Sequence, residues 1–279
     1  MAPDSPVETC VADLVKAMER IAPPHLAEEW DNCGLQIGSL RWPVGSVRVS
    51  LDPLLSVVQS AVRDGVDMLV THHPLILRPL RTIDVESTIG RVIEAALQGR
   101  MALYCAHTNL DSAREGVNQV LARTLGLQQL VPMIPPAATN DGSAAGMGMG
   151  RIGRLEQPMT LGRLAEAVRQ RLGLHQVRVA GDPDMMVQQA AVCSGSGSGL
   201  LAAFFETGAE VFISGDLRYH DARDVEAAGR GLIDVGHFAS EHLIVEPLAA
   251  QLRQLMSDAG RAVRIDACAL EQDPFYSQG

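Results

Sequence analysis

A repeat inside the chain is the feature that most restricts its fold. Residues 49–73, VSLDPLLSVVQSAVRDGVDMLVTHH, align without a gap with residues 192–216, VCSGSGSGLLAAFFETGAEVFISGD, at a constant offset of 143 residues. Residues 99–111, GRMALYCAHTNLD, correspond in the same way to residues 229–241, GRGLIDVGHFASE, at an offset of 130 residues. Two alignments in the same order indicate that the chain contains two similarly built halves.

Short apolar runs alternate with amphipathic stretches in the first half, and this alternation predicts the fold class. The predicted strands are 47–52, 66–71 and 101–106, and the predicted helices are 7–21, 54–64, 86–98 and 115–125. The alternation predicts an α/β fold of two related lobes with mostly parallel sheets. The strand ends of both lobes would then face a shared cleft, because parallel α/β sheets place their chemistry at that edge.

One segment interrupts the alternation. Residues 131–150, VPMIPPAATNDGSAAGMGMG, are rich in Pro, Gly, Ala and Met and almost uncharged, which predicts a connecting segment. The predicted domains are therefore a first lobe over 1–130, this connector, and a second lobe over 151–279.

Composition excludes several classes of protein. A formal charge of −10 argues against a nucleic-acid partner. The five cysteines are scattered and form no CxxC pair, which is typical of a reducing compartment and not of a disulfide framework. No apolar run approaches the roughly 18 residues of a membrane span. A soluble cytoplasmic protein with a small-molecule partner is the expectation.

Residues that can bind a metal ion follow the apolar runs of both halves. They are His72 and His73, His107 and Asp111, and His237 and Glu241. An imidazole and a carboxylate four residues apart lie on one face of a helical turn, so both can reach one ion. These donors suit Zn, Fe, Mn, Co or Ni, and a site without cysteine favours an open, catalytic ion over a structural zinc. The alternative at each position is a surface histidine or a helix-capping aspartate.

Two further features have both a functional and a structural interpretation. Ser196, Gly197 and Ser198 lie in a Gly/Ser turn after a predicted strand, where backbone N–H groups can bind a phosphate of a cofactor or substrate. The alternative is a tight turn between a strand and a helix. His220 is a candidate proton carrier or a partner of a metal ligand, and otherwise a histidine on a helix surface.

Five ordered motifs resemble one known family. WDNCGLQIG, VTHHPL, HTNLD, GDLRYHDA and GHFASE are similar to motifs of the Nif-three-like (YbgI-type) proteins, some of which are labelled GTP cyclohydrolase type 2 homologues. The resemblance implies two related α/β lobes, a dinuclear metal centre between them, and a homohexamer.

The same resemblance implies a role for each matching residue. The metal ligands would be the following residues: His72, His73, Asp111, His237 and Glu241. Glu241 would bridge two divalent ions, while His107 and His220 would handle protons or support the ligands.

These features lead to one functional hypothesis and one rival. The hypothesis is a divalent-metal-dependent hydrolase of a nucleotide or related small molecule, with GTP cyclohydrolase activity as one form of it. The rival is a non-catalytic metal-binding assembly or protein-interaction protein.

Overall fold

A computed structural model of the protein describes residues 8–136 and 146–276, so the middle of the predicted connector lies outside the described residues. The strands are β1 (Gly34–Ile37), β2 (Ser46–Ser50), β3 (Met68–Thr71), β4 (Ala102–Cys105), β5 (Gln128–Ile134), β6 (Met149–Thr160), β7 (Arg178–Ala180), β8 (Met186–Ser196), β9 (Val211–Gly215), β10 (Gly231–Asp234) and β11 (Arg264–Ala267). The α-helices are α1 (Val11–Ile21), α2 (Leu55–Arg63), α3 (Thr88–Gln98), α4 (Thr108–Ser112), α5 (Val117–Thr124), α6 (Leu161–Arg171), α7 (Leu201–Phe205), α8 (Tyr219–Ala227), α9 (His237–Glu241) and α10 (Val245–Asp258).

The chain forms two compact units. The first ends at Leu110 and resumes over Ile244–Gln272, whereas the second comprises Asp111–Leu243 and resumes at Asp273. The late elements α10 and β11 therefore belong to the first unit. The sequence analysis had placed them in a lobe over 151–279.

The first unit contains a five-stranded sheet in the order β1-β4-β3-β2-β11. All of its strand pairs are parallel except the one between β1 and β4. Val57, Val58 and Ala61 of α2 pack with Val92 and Ile93 of α3 in one apolar core beside the sheet. Every residue of β3 and β4 is buried, which explains why both strands are continuous apolar runs in the sequence.

The second unit contains a six-stranded sheet in the order β5-β6-β8-β9-β10-β7, with parallel pairing at its centre, β8-β9-β10. Side chains alternate between two cores. Val192 and Ile213 pack with α5 and α6, whereas Ala191 and Phe212 pack with α7 and α8. This period of two is the geometry of a strand covered on both faces.

The two units repeat one arrangement, as the sequence predicted. In each, three parallel strands are followed by a five-residue helix, α4 after β4 and α9 after β10. Asp67 accepts hydrogen bonds from the backbone N–H groups of Gly45 (2.8 Å) and Ser46 (2.9 Å). Glu210, its counterpart at the offset of 143, accepts them from residues 188 (3.2 Å) and 189 (2.7 Å), at that same offset. The predicted α/β class with two related units is confirmed.

Strands β5 and β6 include the two ends of the predicted connector. β5 and β6 pair antiparallel, with Ile134 opposite Met149, so both ends of the segment 131–150 belong to the second sheet. Arg151 is buried and donates to the carbonyl oxygens of Gly150 (2.7 Å) and Ala113 (2.8 Å). Because Ala113 directly follows α4, the guanidinium anchors the helix that contains Asp111.

Within residues 8–136 and 146–276, no helix combines the length and the apolar character needed to cross a bilayer.

The equivalent carboxylates Asp67 and Glu210 provide a test of the repeat. Replacing either by Ala removes the carboxylate oxygen that accepts hydrogen bonds from two backbone N–H groups, so we expect each variant to lose about 1–2 kcal/mol of folding free energy. Asp224→Ala, at an exposed position of α8, is the control and should change stability by less than about 0.5 kcal/mol. Thermal and urea unfolding measure the stability of all three variants. A loss of stability in only one of the two carboxylate variants would contradict the equivalence of Asp67 and Glu210.

Candidate metal centre

Three imidazoles meet at the carboxyl end of the first sheet. His72 and His73 directly follow β3, and His107 follows the neighbouring parallel strand β4 after one residue. The ring centroids of His72 lie 5.0 Å from His73 and 5.2 Å from His107, and one ligand atom from each of the three side chains falls within 4.8 Å of the others. We call these three residues the histidine cluster. His72 is fully buried, and the other two are half-buried.

In each ring of the histidine cluster, an oxygen acceptor engages Nδ1. The contacts are His72 Nδ1 to the Ala106 carbonyl oxygen (3.0 Å), His73 Nδ1 to Asp52 Oδ1 (2.8 Å) and His107 Nδ1 to Asp31 Oδ1 (2.9 Å). A carbonyl or carboxylate oxygen can only accept, so Nδ1 bears the proton and Nε2 bears the lone pair of the neutral imidazole. These contacts leave Nε2 as the nitrogen of each ring that could bind a metal ion.

Asp31 connects the histidine cluster to the start of α4. Its Oδ2 accepts hydrogen bonds from the backbone N–H of Thr108 (3.0 Å) and the thiol of Cys33 (3.2 Å), in addition to the contact with His107. Burial by itself raises the pKa of Asp31, but the hydrogen bonds from His107 and Thr108 outweigh it and hold the pKa well below its usual range. Asp31 thus contacts both the backbone at the start of α4 and the ring of His107.

The second unit places an imidazole and a carboxylate together on α9. His237 Nε2 lies 2.9 Å from Glu241 Oε2, and His237 Nδ1 lies 2.7 Å from Asp216 Oδ2. Asp216 has a left-handed backbone conformation with φ of 51°, which is uncommon outside glycine. Strained backbone of this kind concentrates at functional sites. His237 thus has the same Nδ1 partner chemistry as His107, its counterpart in the repeat.

Two buried carboxylates lie near the end of β8. Asp111 accepts a hydrogen bond from the hydroxyl of Ser194 (3.2 Å), and Glu241 lies so close to Gly195 that a Cβ added there would fall 2.1 Å from Oε1. Burial raises the pKa of the Cys193 thiol, and the charges of Asp111 and Glu241 raise it further. Both carboxylates therefore lie beside the same short segment, residues 193–195.

The chemistry of these donors fits a divalent metal ion. Imidazole and carboxylate donors suit Zn, Fe, Mn, Co and Ni. In the histidine cluster each ring also has the oxygen partner that typically orients a metal-binding histidine.

In the Gly/Ser turn, polar groups of Gly197 and Ser198 form hydrogen bonds with other residues of the second unit. The N–H of Gly197 donates to the carbonyl oxygen of Gly215 (3.2 Å), and the hydroxyl of Ser198 donates to the carboxylate of Asp221 (2.5 Å). Ser196 is exposed. Phosphate binding by residues 196–198 stays a prediction, in which Ser196 is the accessible group.

His220 lies at the exposed start of α8, where its ring contacts Tyr219 edge-on at 5.4 Å. Its role in proton transfer also stays a prediction.

Comparison with known proteins identifies the family. The family model described as Duf34/NIF3 (NGG1p interacting factor 3) matches residues 9–274. The chain belongs to the DUF34/NIF3 family. A GTP cyclohydrolase 1 type 2 homolog from Streptomyces coelicolor is 34% identical over 268 residues, covering 95% of this chain and 93% of that protein. The family resemblance inferred from the motifs is confirmed.

Solved structures of similar proteins share the fold. A Bacillus cereus protein related to NIF3 superposes with a TM-score of 0.90 at 27% identity, covering 97% of this chain and 99% of that chain. Reduced HcgD from Methanocaldococcus jannaschii has a TM-score of 0.77 at 27% identity, covering 95% of this chain and 100% of that chain.

The sequence patterns did not identify the acidic partners of the histidines. Asp52 follows β2 after one residue, and Asp216 is the repeat counterpart of His73. Their positions after strands were a usable signal. A sequence does not reveal which strand ends lie next to each other, so their pairing with His73 and His237 could not be assigned.

Gly195 provides a test of the second-unit site. Gly195→Ala places a methyl group against Glu241 at a backbone φ of 63°, so we expect Glu241 to move and divalent-ion affinity to fall at least about 10-fold. Gly199→Ala in the same turn is the control, because no atom lies within 4 Å of its added Cβ. Titration with Zn²⁺ against a chromophoric chelator measures both, and equal affinities would contradict the tight approach.

The lowered pKa of Asp31 predicts a specific loss of stability in acid. Because the folded pKa lies below the ordinary value of 3.8, the contribution of Asp31 is complete above that pH. It is lost as the pH falls further, since the unfolded chain binds the proton first. We expect Asp31→Asn to be less stable than the native chain at pH 7 and to lose less stability between pH 7 and about pH 3. Thermal unfolding of both proteins across this pH range measures the loss. An equal loss of stability in the native chain and in Asp31→Asn would refute this assignment.

Proposed function

We propose that this protein is a divalent-metal-dependent hydrolase of a nucleotide or a related small molecule. The observation that supports it most directly is the histidine cluster, with three imidazoles whose Nδ1 atoms are all engaged by oxygen acceptors. The GTP cyclohydrolase name of its relatives makes GTP the first substrate to examine.

The proposed ligands come from both halves of the repeat. They would be His72, His73, Asp111, His237 and Glu241, with Glu241 the expected shared ligand, as the family resemblance implies. The position of His107 inside the histidine cluster favours a role as an additional ligand over its predicted role in proton transfer. Divalent ions held by such donors polarise the bond under attack and lower the pKa of a bound water.

The chain's own residues contribute orientation and proton handling. Asp52 and Asp31 hold the imidazoles of His73 and His107 in the Nδ1–H tautomer, which leaves Nε2 as the lone-pair nitrogen of each ring. His220 is proposed to exchange protons with the substrate or solvent, since its imidazole is exposed at the start of α8. The proposal further includes a cytoplasmic homohexamer.

The rival proposal is a metal-binding assembly or interaction protein. The family description, which names an interacting factor, is the observation in its favour. A metal centre with no exchangeable water would favour the rival, whereas a hydrolase requires one. Anomalous scattering combined with metal stoichiometry distinguishes the two cases.

Hydrolysis by metal-loaded protein is the direct test. Protein loaded separately with Zn²⁺, Mn²⁺ or Fe²⁺ is expected to hydrolyse at least one member of a nucleotide panel that includes GTP. Chelation should abolish turnover, and Glu241→Gln and His73→Gln should each lower kcat/KM at least about 100-fold, because removing a ligand disrupts the site.

His175→Gln controls for the loss of an imidazole, because His175 is exposed on the protein surface. It should retain native activity. Turnover that persists after chelation and in Glu241→Gln would rule out the proposed chemistry.

A further inference from the structure

A buried carboxylate near the end of the chain holds the backbone beside the histidine cluster. The side chain of Glu271 accepts hydrogen bonds from the backbone N–H groups of Leu51 (2.8 Å, to Oε2) and Asp52 (2.7 Å, to Oε1). Glu271 is only 8% exposed and lies 220 residues away from Leu51 in the sequence. The two oxygens of one carboxylate thus fix two consecutive peptide units directly after β2.

Those two peptide units make direct contacts with His73. The backbone N–H of His73 donates to the carbonyl oxygen of Leu51 (2.8 Å), and its Nδ1 donates to Asp52 Oδ1 (2.8 Å). One contact fixes the main chain of His73 and the other fixes its ring. The orientation of the imidazole therefore depends on the backbone that Glu271 holds.

Buried side chains hold the backbone after the first parallel strand in both halves of the repeat. The residue at this strand end has a different role in each half. The counterparts of Leu51 and Asp52 at the offset of 143 are Ser194 and Gly195. Their N–H groups donate to Asn118 Oδ1 (2.8 Å) and Ser240 Oγ (2.8 Å). Both halves thus satisfy these two amides with buried side chains. In the first half, the side chain of Asp52 reaches an imidazole. Its counterpart in the second half, Gly195, has no side chain that could do so.

We infer that Glu271 is a positioning residue that sets the orientation of His73 through Leu51 and Asp52. Its consequence for metal binding rests on the proposed function, but the orientation of the ring does not. A purely structural anchor would stabilise the unit without changing the hydrogen bond at His73 Nδ1. A positioning residue changes that hydrogen bond in folded protein.

The test uses Glu271→Gln in the full chain. A glutamine has the same size, but its amide offers one acceptor oxygen and directs N–H donors at the second backbone N–H. In metal-free protein at about pH 8, where imidazoles are neutral, ¹⁵N NMR of the histidine rings should show the Nδ1–H signal of His73 in the native chain. His73→Gln identifies the signal by its loss. We expect Glu271→Gln to shift or broaden it, and Zn²⁺ affinity to fall about 10- to 100-fold.

Two further variants complete the design. Glu246→Gln, at an exposed position of α10, is the control and should change neither the signal nor the affinity. If Glu271→Gln does not fold, Glu271→Asp retains the carboxylate on a shorter side chain, and it should still displace the Nδ1–H signal.

The outcomes separate this inference from the proposed function. An unchanged His73 signal in a folded Glu271 variant would overturn the positioning role, whatever the metal affinity. If the native chain binds no divalent ion, the proposed function fails, and the NMR comparison in metal-free protein still decides the role of Glu271.

Discussion

The parallel pairing of β2, β3 and β4 is the constraint on which the histidine cluster depends. Parallel strands end at one edge of the sheet, so residues that follow them meet there although the chain separates them widely. Asp52, His73 and His107 follow these three strands in turn. Had β4 run antiparallel to β3, His107 would lie at the opposite edge of the sheet. Strand direction thus decides which ionisable residues become neighbours, and the helices between the strands impose that direction.

A second constraint acts on the imidazoles themselves. An imidazole can present either nitrogen to an ion, and a hydrogen bond at one nitrogen removes that ambiguity. In the histidine cluster, oxygen acceptors from different parts of the first unit remove it: the carbonyl of Ala106 for His72, Asp52 for His73 and Asp31 for His107. Two of these three acceptors are carboxylates, and their negative charge beside the imidazoles favours a cation there.

The repeat explains both the similarity and the difference of the two units. Asp67 and Glu210 clamp equivalent backbone N–H groups, and His107 and His237 occupy equivalent positions after the third parallel strand. The halves diverge where the first unit has Asp52 and the second has Gly195. The glycine permits the close approach of Glu241, whereas the aspartate orients an imidazole. One framework therefore supports two different uses of the same strand end.

The sequence by itself determined the α/β class, the duplication, the family and the candidate ligands, because these depend on local periodicity, on repeats and on motifs within short segments. Strands β2, β3 and β4 and helices α2 and α3 lie within a few residues of their predicted bounds. Only the tertiary structure decided that β11 pairs with β2, that both ends of the predicted connector belong to β5 and β6, and that Glu271 reaches Leu51 and Asp52. Contacts between distant segments depend on how whole elements pack, and no local pattern in the chain encodes that packing.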